Sequence, residues 1–295
     1  MEPRDVSAPP PHWLPPPPSR WLQRPRRKKL LVLDVNGLLC WRAPKGKSVV
    51  MVDDVRVDLA TLRPPDGTAA QFHVWLRPYA RDFVAWCAER FELVVWSTAT
   101  ARNLEPLVEL VFAGHRPMAV LNQSHCTNID VTHPDDEARP LYIKELAKMW
   151  ADERIVAAAA HGLLPHSADD TLLLDDSPYK ALANPQHTAL HPLEWRGPAD
   201  SAGRGDADGA LAADGPLRAA LAWVATATSV PQAVRTATLD AAHWTSADHC
   251  AITKRVLAKR PDLARQQQDA VASSPIDAAA AATAQLLGML GVGVS

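Results

Sequence analysis

Lys29–Cys40 reads KLLVLDVNGLLC, and its first half decides the fold. Leu30, Leu31, Val32 and Leu33 form a short, continuous apolar run, rich in branched residues and closed by Gly37. Such a run is a strand buried on both faces, as in a parallel sheet. It ends in Asp34, and in an open α/β sheet ligands bind beyond the carboxyl ends of the strands. Taken alone, Asp34 serves equally well as the start of a turn. Thr171–Pro178, TLLLDDSP, repeats the pattern far downstream, with Leu172–Leu174 as the strand and Asp175 and Asp176 at its end. If the two strands lie parallel in one sheet, the three carboxylates converge on one crevice. Carboxylates brought together without matching cations repel each other. A hard divalent cation with oxygen ligands relieves this, and Mg2+ fits best.

Working outward, Trp41–Val74 reads as an excursion of hairpins, with strand-like pieces at Ser48–Val52 and Gln71–Leu76 and a strong turn at Arg63–Thr68 (RPPDGT). Pro78–Glu92 has helical spacing, with Tyr79, Phe83, Val84, Cys87 and Phe91 on one face. Leu93–Trp96 is another buried strand, followed by Ser97 and Thr98. A helix is expected over Arg102–Phe112 with Leu104, Leu107, Val108 and Val111 as its stripe. Ala119–Leu121 is a short strand, Leu141–Trp150 is expected to be helical, and Thr188–His191 is a weak last strand. Strands alternating with helices predict a doubly wound parallel sheet with helices on both faces. Leu217–Val234 returns to helix. Gly197–Gly215 (GPADSAGRGDADGALAADG) reads as a low-complexity loop or linker.

The expected organisation is a proline-rich and basic segment over 1–27, one domain over 28–237, and an alanine-rich tail over 238–295. The first segment (PPPHWLPPPPSRW) suits polyproline II, and RPRRKK at Arg24–Lys29 is a basic cluster. A formal net charge of −2 gives no overall field that would drive the chain onto nucleic acid or an anionic membrane. Cys40, Cys87, Cys126 and Cys250 are far apart and form no CxxC pair, which suits free thiols in a reducing, intracellular compartment. His115, His125, Cys126 and His133 meet no zinc-ligand spacing. Ala278–Ser295 is uncharged, but its alanines, three glycines, Thr283 and Gln285 make a poor membrane span.

Four ordered blocks then resemble a known family: LLVLDVNGLL, LRPYARDFVAWCAERFELVVWSTATARNLEPLVELV, PLYIKELAKMW and LLLDDSPYKALANPQHTALHP. Together they resemble the phosphatases acting on the RNA polymerase II C-terminal domain (NLI-interacting-factor-like), a branch of the haloacid dehalogenase superfamily. NQSHCT at Asn122–Thr127 is similar to a plant-type subgroup of that branch. The resemblance implies a haloacid-dehalogenase-like fold with no large cap domain and Mg2+ as cofactor. It implies a phosphorylated protein segment as partner, in the nucleus or cytoplasm. By the same resemblance Asp34 is the nucleophile, Ser97 holds a phosphate oxygen and Lys144 neutralises the charge; Lys148, one helical turn on, is its rival, and Lys148 or Lys180 pointing in instead would overturn the assignment. Asp34, Asp176 and the backbone carbonyl of residue 36 would hold the metal, with Asp175 beside them.

Two positions depart from the pattern, Leu38, where the family often has threonine, and, more consequentially, Asn36. Asn36 stands where the family has the aspartate that protonates the leaving group and activates water, and an amide exchanges no proton at neutral pH. The expectation is therefore a slow Mg2+-dependent phosphoprotein phosphatase. The alternative is a non-catalytic binding module on the same fold, of which a protein-translocase subunit of the mitochondrial inner membrane is the nearest example.

Overall fold

The computed structural model describes residues 28–52, 55–159, 166–199, 205–237, 243–246, 250–263 and 265–266. The proline-rich start, residues 24–27 of the basic cluster and the Ala278–Ser295 segment lie outside the described residues.

The core is a five-stranded parallel sheet. Its strands are β1 (Lys29–Leu33), β7 (Phe91–Trp96), β8 (Ala119–Leu121), β11 (Thr171–Leu174) and β12 (Ala189–Leu190), in the order β12-β11-β1-β7-β8. β1 is central. Leu31 is paired with Leu172 on one side and Leu93 on the other, in parallel register. The alternation of a strand sends neighbouring side chains to opposite faces. Leu31, Leu33, Leu93, Val95, Leu172 and Leu174 enter one core layer, whereas Leu30, Val32, Val94, Trp96 and Leu173 enter the other. A strand wedged between two apolar layers has no polar side, which is why these runs carry no alternation.

The first layer is closed by α1 (Ala80–Arg90), α2 (Ala101–Phe112), α5 (Pro216–Thr226) and α6 (Val230–Thr236). The expected α2 stripe is buried throughout. On α1, Phe83, Val84 and Cys87 face the core as expected, while Tyr79 is exposed and Phe91 already belongs to β7. The predicted Leu217–Val234 helix is two, because the chain leaves helical geometry at Ala227 before Pro231 restarts it. The second layer carries α3 (Leu146–Trp150) and α4 (Glu153–Ala159) through Leu146, Met149 and Ile155.

The predicted helix over Leu141–Trp150 is corrected. Its first three residues end β10 (Asp136–Ile143), which forms an antiparallel hairpin with β9 (Thr127–His133). Leu141 and Ile143 alternate with Tyr142 and point into a small core with Ile129 and Val131. A two-residue period therefore governs this stretch, and the helix starts only at Leu146. α7 (Ala251–Lys259) covers the same small core through Val256.

The excursion after β1 is as compact as expected. β2 (Cys40–Pro44), β5 (Gly67–Ala69) and β6 (Phe72–Leu76) form a three-stranded sheet, and β3 (Val49–Val52) and β4 (Val55–Asp58) a hairpin. The architecture is the α/β haloacid-dehalogenase-like fold, with helices on both faces of the sheet. Among the described residues no helix is long and apolar enough to cross a membrane.

Candidate active site

β1 and β11 are hydrogen-bonded neighbours, and the Asp34 amide still donates to the Leu174 carbonyl at 3.0 Å past the end of β1. The register therefore puts Asp34 level with Asp175, and Asp176 one residue further. Oxygens of all three lie within 4.8 Å of one another, a cluster that could hold a metal ion. Ser97 follows β7, the other neighbour of β1, and is buried at the same strand end. Its Oγ accepts from the Ala99 amide at 3.3 Å.

Lys144 is the first residue after β10 and is fully buried. Its ammonium lies 3.4 Å from Asp34 Oδ1 and in contact with Asp175 Oδ2. Lys148, its rival, is instead exposed on α3 and pairs with Glu145 and Thr127. Lys180 is also in the site, donating to Asp34 Oδ2 at 2.7 Å and to Asp175 Oδ1 at 2.9 Å. Both ammoniums are thus present, where the sequence asked which one of the three lysines would be. The short 3-10 turn Pro178–Ala181 folds Lys180 back onto Asp175, five residues earlier.

The charges follow from this arrangement. Burial would push the Asp175 carboxyl up, but Lys144 and Lys180 outweigh it and hold the group well below the usual carboxylate range. Burial would likewise push the Lys180 ammonium down, and Asp175, Asp34 and Asp176 raise it well above its ordinary value. Asp176 differs, because burial pushes it up to about 8; Lys180 opposes the rise and Asp175, Asp34 and Glu194 add to it. Its Oδ1 is buried without a protein partner, and so is Asn36 Oδ1 nearby in sequence from Asp34. Orphaned buried oxygens beside converging carboxylates fit a hard cation.

Two backbone features hold the geometry. Gly37 has φ +84°, and a Cβ there would lie 3.1 Å from Asp176 Oδ1 and 3.0 Å from Glu194 Cγ, so the turn requires glycine. His191 Nδ1 donates to the Asp175 carbonyl at 2.8 Å, fixing the strand end that carries both aspartates.

A buried Asp34 carboxylate, a buried lysine beside it and an acidic cluster at adjacent strand ends make up the candidate site. The sequence profile of the NLI interacting factor-like phosphatases matches residues 29–204, more than half of the chain. The chain belongs to this family. It is similar to a protein of Dictyostelium discoideum described as a probable C-terminal domain small phosphatase, at 25% identity over 122 residues, 41% of this chain and 32% of that one. Two solved structures of Fcp1, an RNA polymerase II CTD phosphatase, also match. An arginine-to-alanine variant from fission yeast bound to beryllium fluoride has TM-score 0.35 at 12% identity, over 57% of this chain and 42% of that one. A second Fcp1 structure has TM-score 0.36 at 12% identity, over 84% and 66% respectively. The chain spans about a third of the length of the curated relative it matches.

Proposed function

We propose that this chain is a Mg2+-dependent phosphoprotein phosphatase domain that works through an aspartyl phosphate on Asp34, slowed by Asn36. The observation that carries it is the Asp34 carboxylate, held beside Lys144 and facing Asp175 and Asp176, in a chain of phosphatase family. An Asp34 oxygen attacks phosphorus, and the bond from phosphorus to the seryl or threonyl oxygen breaks. The Lys144 ammonium faces the negative charge that the phosphoryl group brings, and the Ser97 hydroxyl donates to one of its oxygens. Water then attacks the acyl phosphate, releasing phosphate and restoring Asp34. Asp34, Asp176 and the backbone oxygen of residue 36 would hold Mg2+, which supplies charge neutralisation at the phosphoryl oxygens when bound. The excursion after β1 is a small set of short strands rather than a large cap, which supports an extended phosphorylated protein segment as the substrate class we assign.

The test is turnover of an activated aryl phosphate with and without Mg2+, beside Asp34→Asn. The variant is expected to lose both turnover and the hydroxylamine-sensitive phosphate label on the chain. An Asp34→Asn protein that keeps the native rate removes the nucleophile from this account. The amide of Asn36 favours the second reading, a binding module that grips a phosphorylated partner without turning it over.

A further expectation concerns protons. Asp176, with its pKa raised to about 8, stays neutral in the metal-free fold at pH 7. The sign follows: a carboxyl raised on folding stabilises the fold below its unfolded value and loses that contribution as pH rises through about 8. Asp176 by itself lowers the melting temperature of the metal-free protein as pH climbs towards 8–9, whereas His133 and His191, held by burial below their ordinary value, add stability as pH rises through the histidine range. The native chain compared with Asp176→Asn isolates the carboxyl's share. Mg2+ needs the ionised carboxylate, so binding at pH 7 releases about one proton, and none well above the raised value. Calorimetric titration in two buffers of different ionisation enthalpy reads this number. A heat independent of buffer at pH 7 would contradict it.

A further inference from the structure

Asp34, Lys144, Asp175 and Lys180 form a closed ring. Lys144 reaches Asp34 Oδ1 at 3.4 Å and Asp175 Oδ2 in direct contact. Lys180 reaches the two opposite oxygens, Asp34 Oδ2 at 2.7 Å and Asp175 Oδ1 at 2.9 Å. Each oxygen of both carboxylates therefore faces an ammonium, and the ring's charge cancels. All four side chains are buried, with relative exposures of 4% for Asp34, 8% for Lys180 and 0% for the other two. Asp176 stands just outside the ring, its Oδ1 bare, and Lys180 is the cation that acts on it most strongly.

A metal ion held by Asp34 and Asp176 would share the Asp34 carboxylate with this ring and place a second full cation beside its ammoniums. Lys144 enters from β10, anchored by its amide on the Lys180 carbonyl and its carbonyl on Asn184 Nδ2. Lys180 enters from the short turn that begins two residues after Asp176, so its ammonium and the metal would compete for the same gap. We propose that the Lys180 ammonium is a resident cation that closes the metal cradle, and that a divalent ion enters only as Lys180 leaves Asp34. This rests on the site reading above and adds a positioning residue that sets metal affinity. The ammonium also compensates part of the charge of the buried acidic cluster.

The experiment is calorimetric titration of Mg2+ and Mn2+ into the native chain, Lys180→Gln and Lys180→Arg. Removing one unit charge within a few ångströms of a divalent ion is expected to tighten binding by at least about tenfold in Lys180→Gln. Lys180→Arg keeps the charge and is expected to stay as weak as the native chain. Lys180→Gln binding no tighter than native overturns the proposal. Since Lys180→Gln removes a buried cation and could fail to fold, the native chain is also crystallised with Mn2+. Lys180 Nζ out of hydrogen-bond reach of Asp34 beside the bound ion supports the proposal, and Lys180 still on Asp34 beside that ion overturns it. The two readings separate cleanly. Tighter metal binding in Lys180→Gln with no phosphoester turnover keeps the lysine's role and sinks the phosphatase. Metal-dependent turnover with unchanged affinity keeps the phosphatase and sinks the lysine's role.

Discussion

Asn36→Asp is expected to raise phosphoserine turnover by up to about 10²–10⁴-fold, the usual worth of a positioned acid and base. The size depends on the leaving group. A nitrophenolate departs with little protonation, whereas the alkoxide of serine needs a proton as the phosphorus–oxygen bond breaks. In the native chain the amide does not act as an acid or a base at neutral pH, so aryl phosphates are expected to turn over slowly and phosphoserine hardly at all. The second step also lacks its base, so the acyl phosphate should accumulate and give a burst. The variant is well posed because aspartate has the shape of asparagine, and Asn36 Oδ1 is buried without a protein partner to lose. Rates on both substrate types, with burst amplitudes, check this. An Asn36→Asp chain that folds, binds Mg2+ and stays inert on every phosphoester favours the binding module. A native chain already brisk on phosphoserine means that another group supplies the proton.

The sheet was legible because its strands are buried on both faces. Leu30–Leu33, Leu93–Trp96 and Leu172–Leu174 have no polar side to hide their period, and each ends in a polar residue at the same edge. Asp34, Asp175 and Asp176 could be paired from sequence for that reason alone. Lys144 was harder, since helix and strand fit Leu141–Trp150 almost equally until β9 is known to pair with it. Lys180 entered only as an outcome that would overturn Lys144, because nothing local shows that a four-residue turn will carry its ammonium back over Asp175. Least legible was the small-residue stretch before α5. Its composition reads as a linker, yet Asp208 and Leu211 are buried there, and Trp195 donates to the Gly205 carbonyl at 2.9 Å. The tie that packs it down is Arg77, 131 residues away, and no sequence pattern links the two.

That tie yields the largest expected loss of stability. Arg77 and Asp208 are each only 1% exposed, and the guanidinium meets both carboxylate oxygens at 2.9 Å. Arg77 also donates to the Leu38 carbonyl at 3.2 Å and the Leu193 carbonyl at 3.3 Å. It therefore clamps the turn after Asp34, the segment after β12 and the stretch that leads into α5. Removing one partner of a buried pair leaves an uncompensated charge, so Arg77→Met is expected to cost about 3–5 kcal/mol. For a domain of this size that lowers the melting temperature by on the order of 10 °C. Removing both charges is a different experiment. Arg77→Met with Asp208→Leu replaces the pair by apolar groups and should recover much of the lost stability, since a buried ion pair gains little over a packed apolar one. The double variant still lacks donors for the Leu38 and Leu193 carbonyls, and Leu38 is two residues from Asn36. Its turnover should therefore stay below native even where its melting temperature returns. Thermal melts of the two variants with parallel aryl phosphate rates separate these effects. Arg77→Met melting with the native chain would show that Asp208 finds water or another cation, and would remove the clamp from the account of how the turn after Asp34 is held.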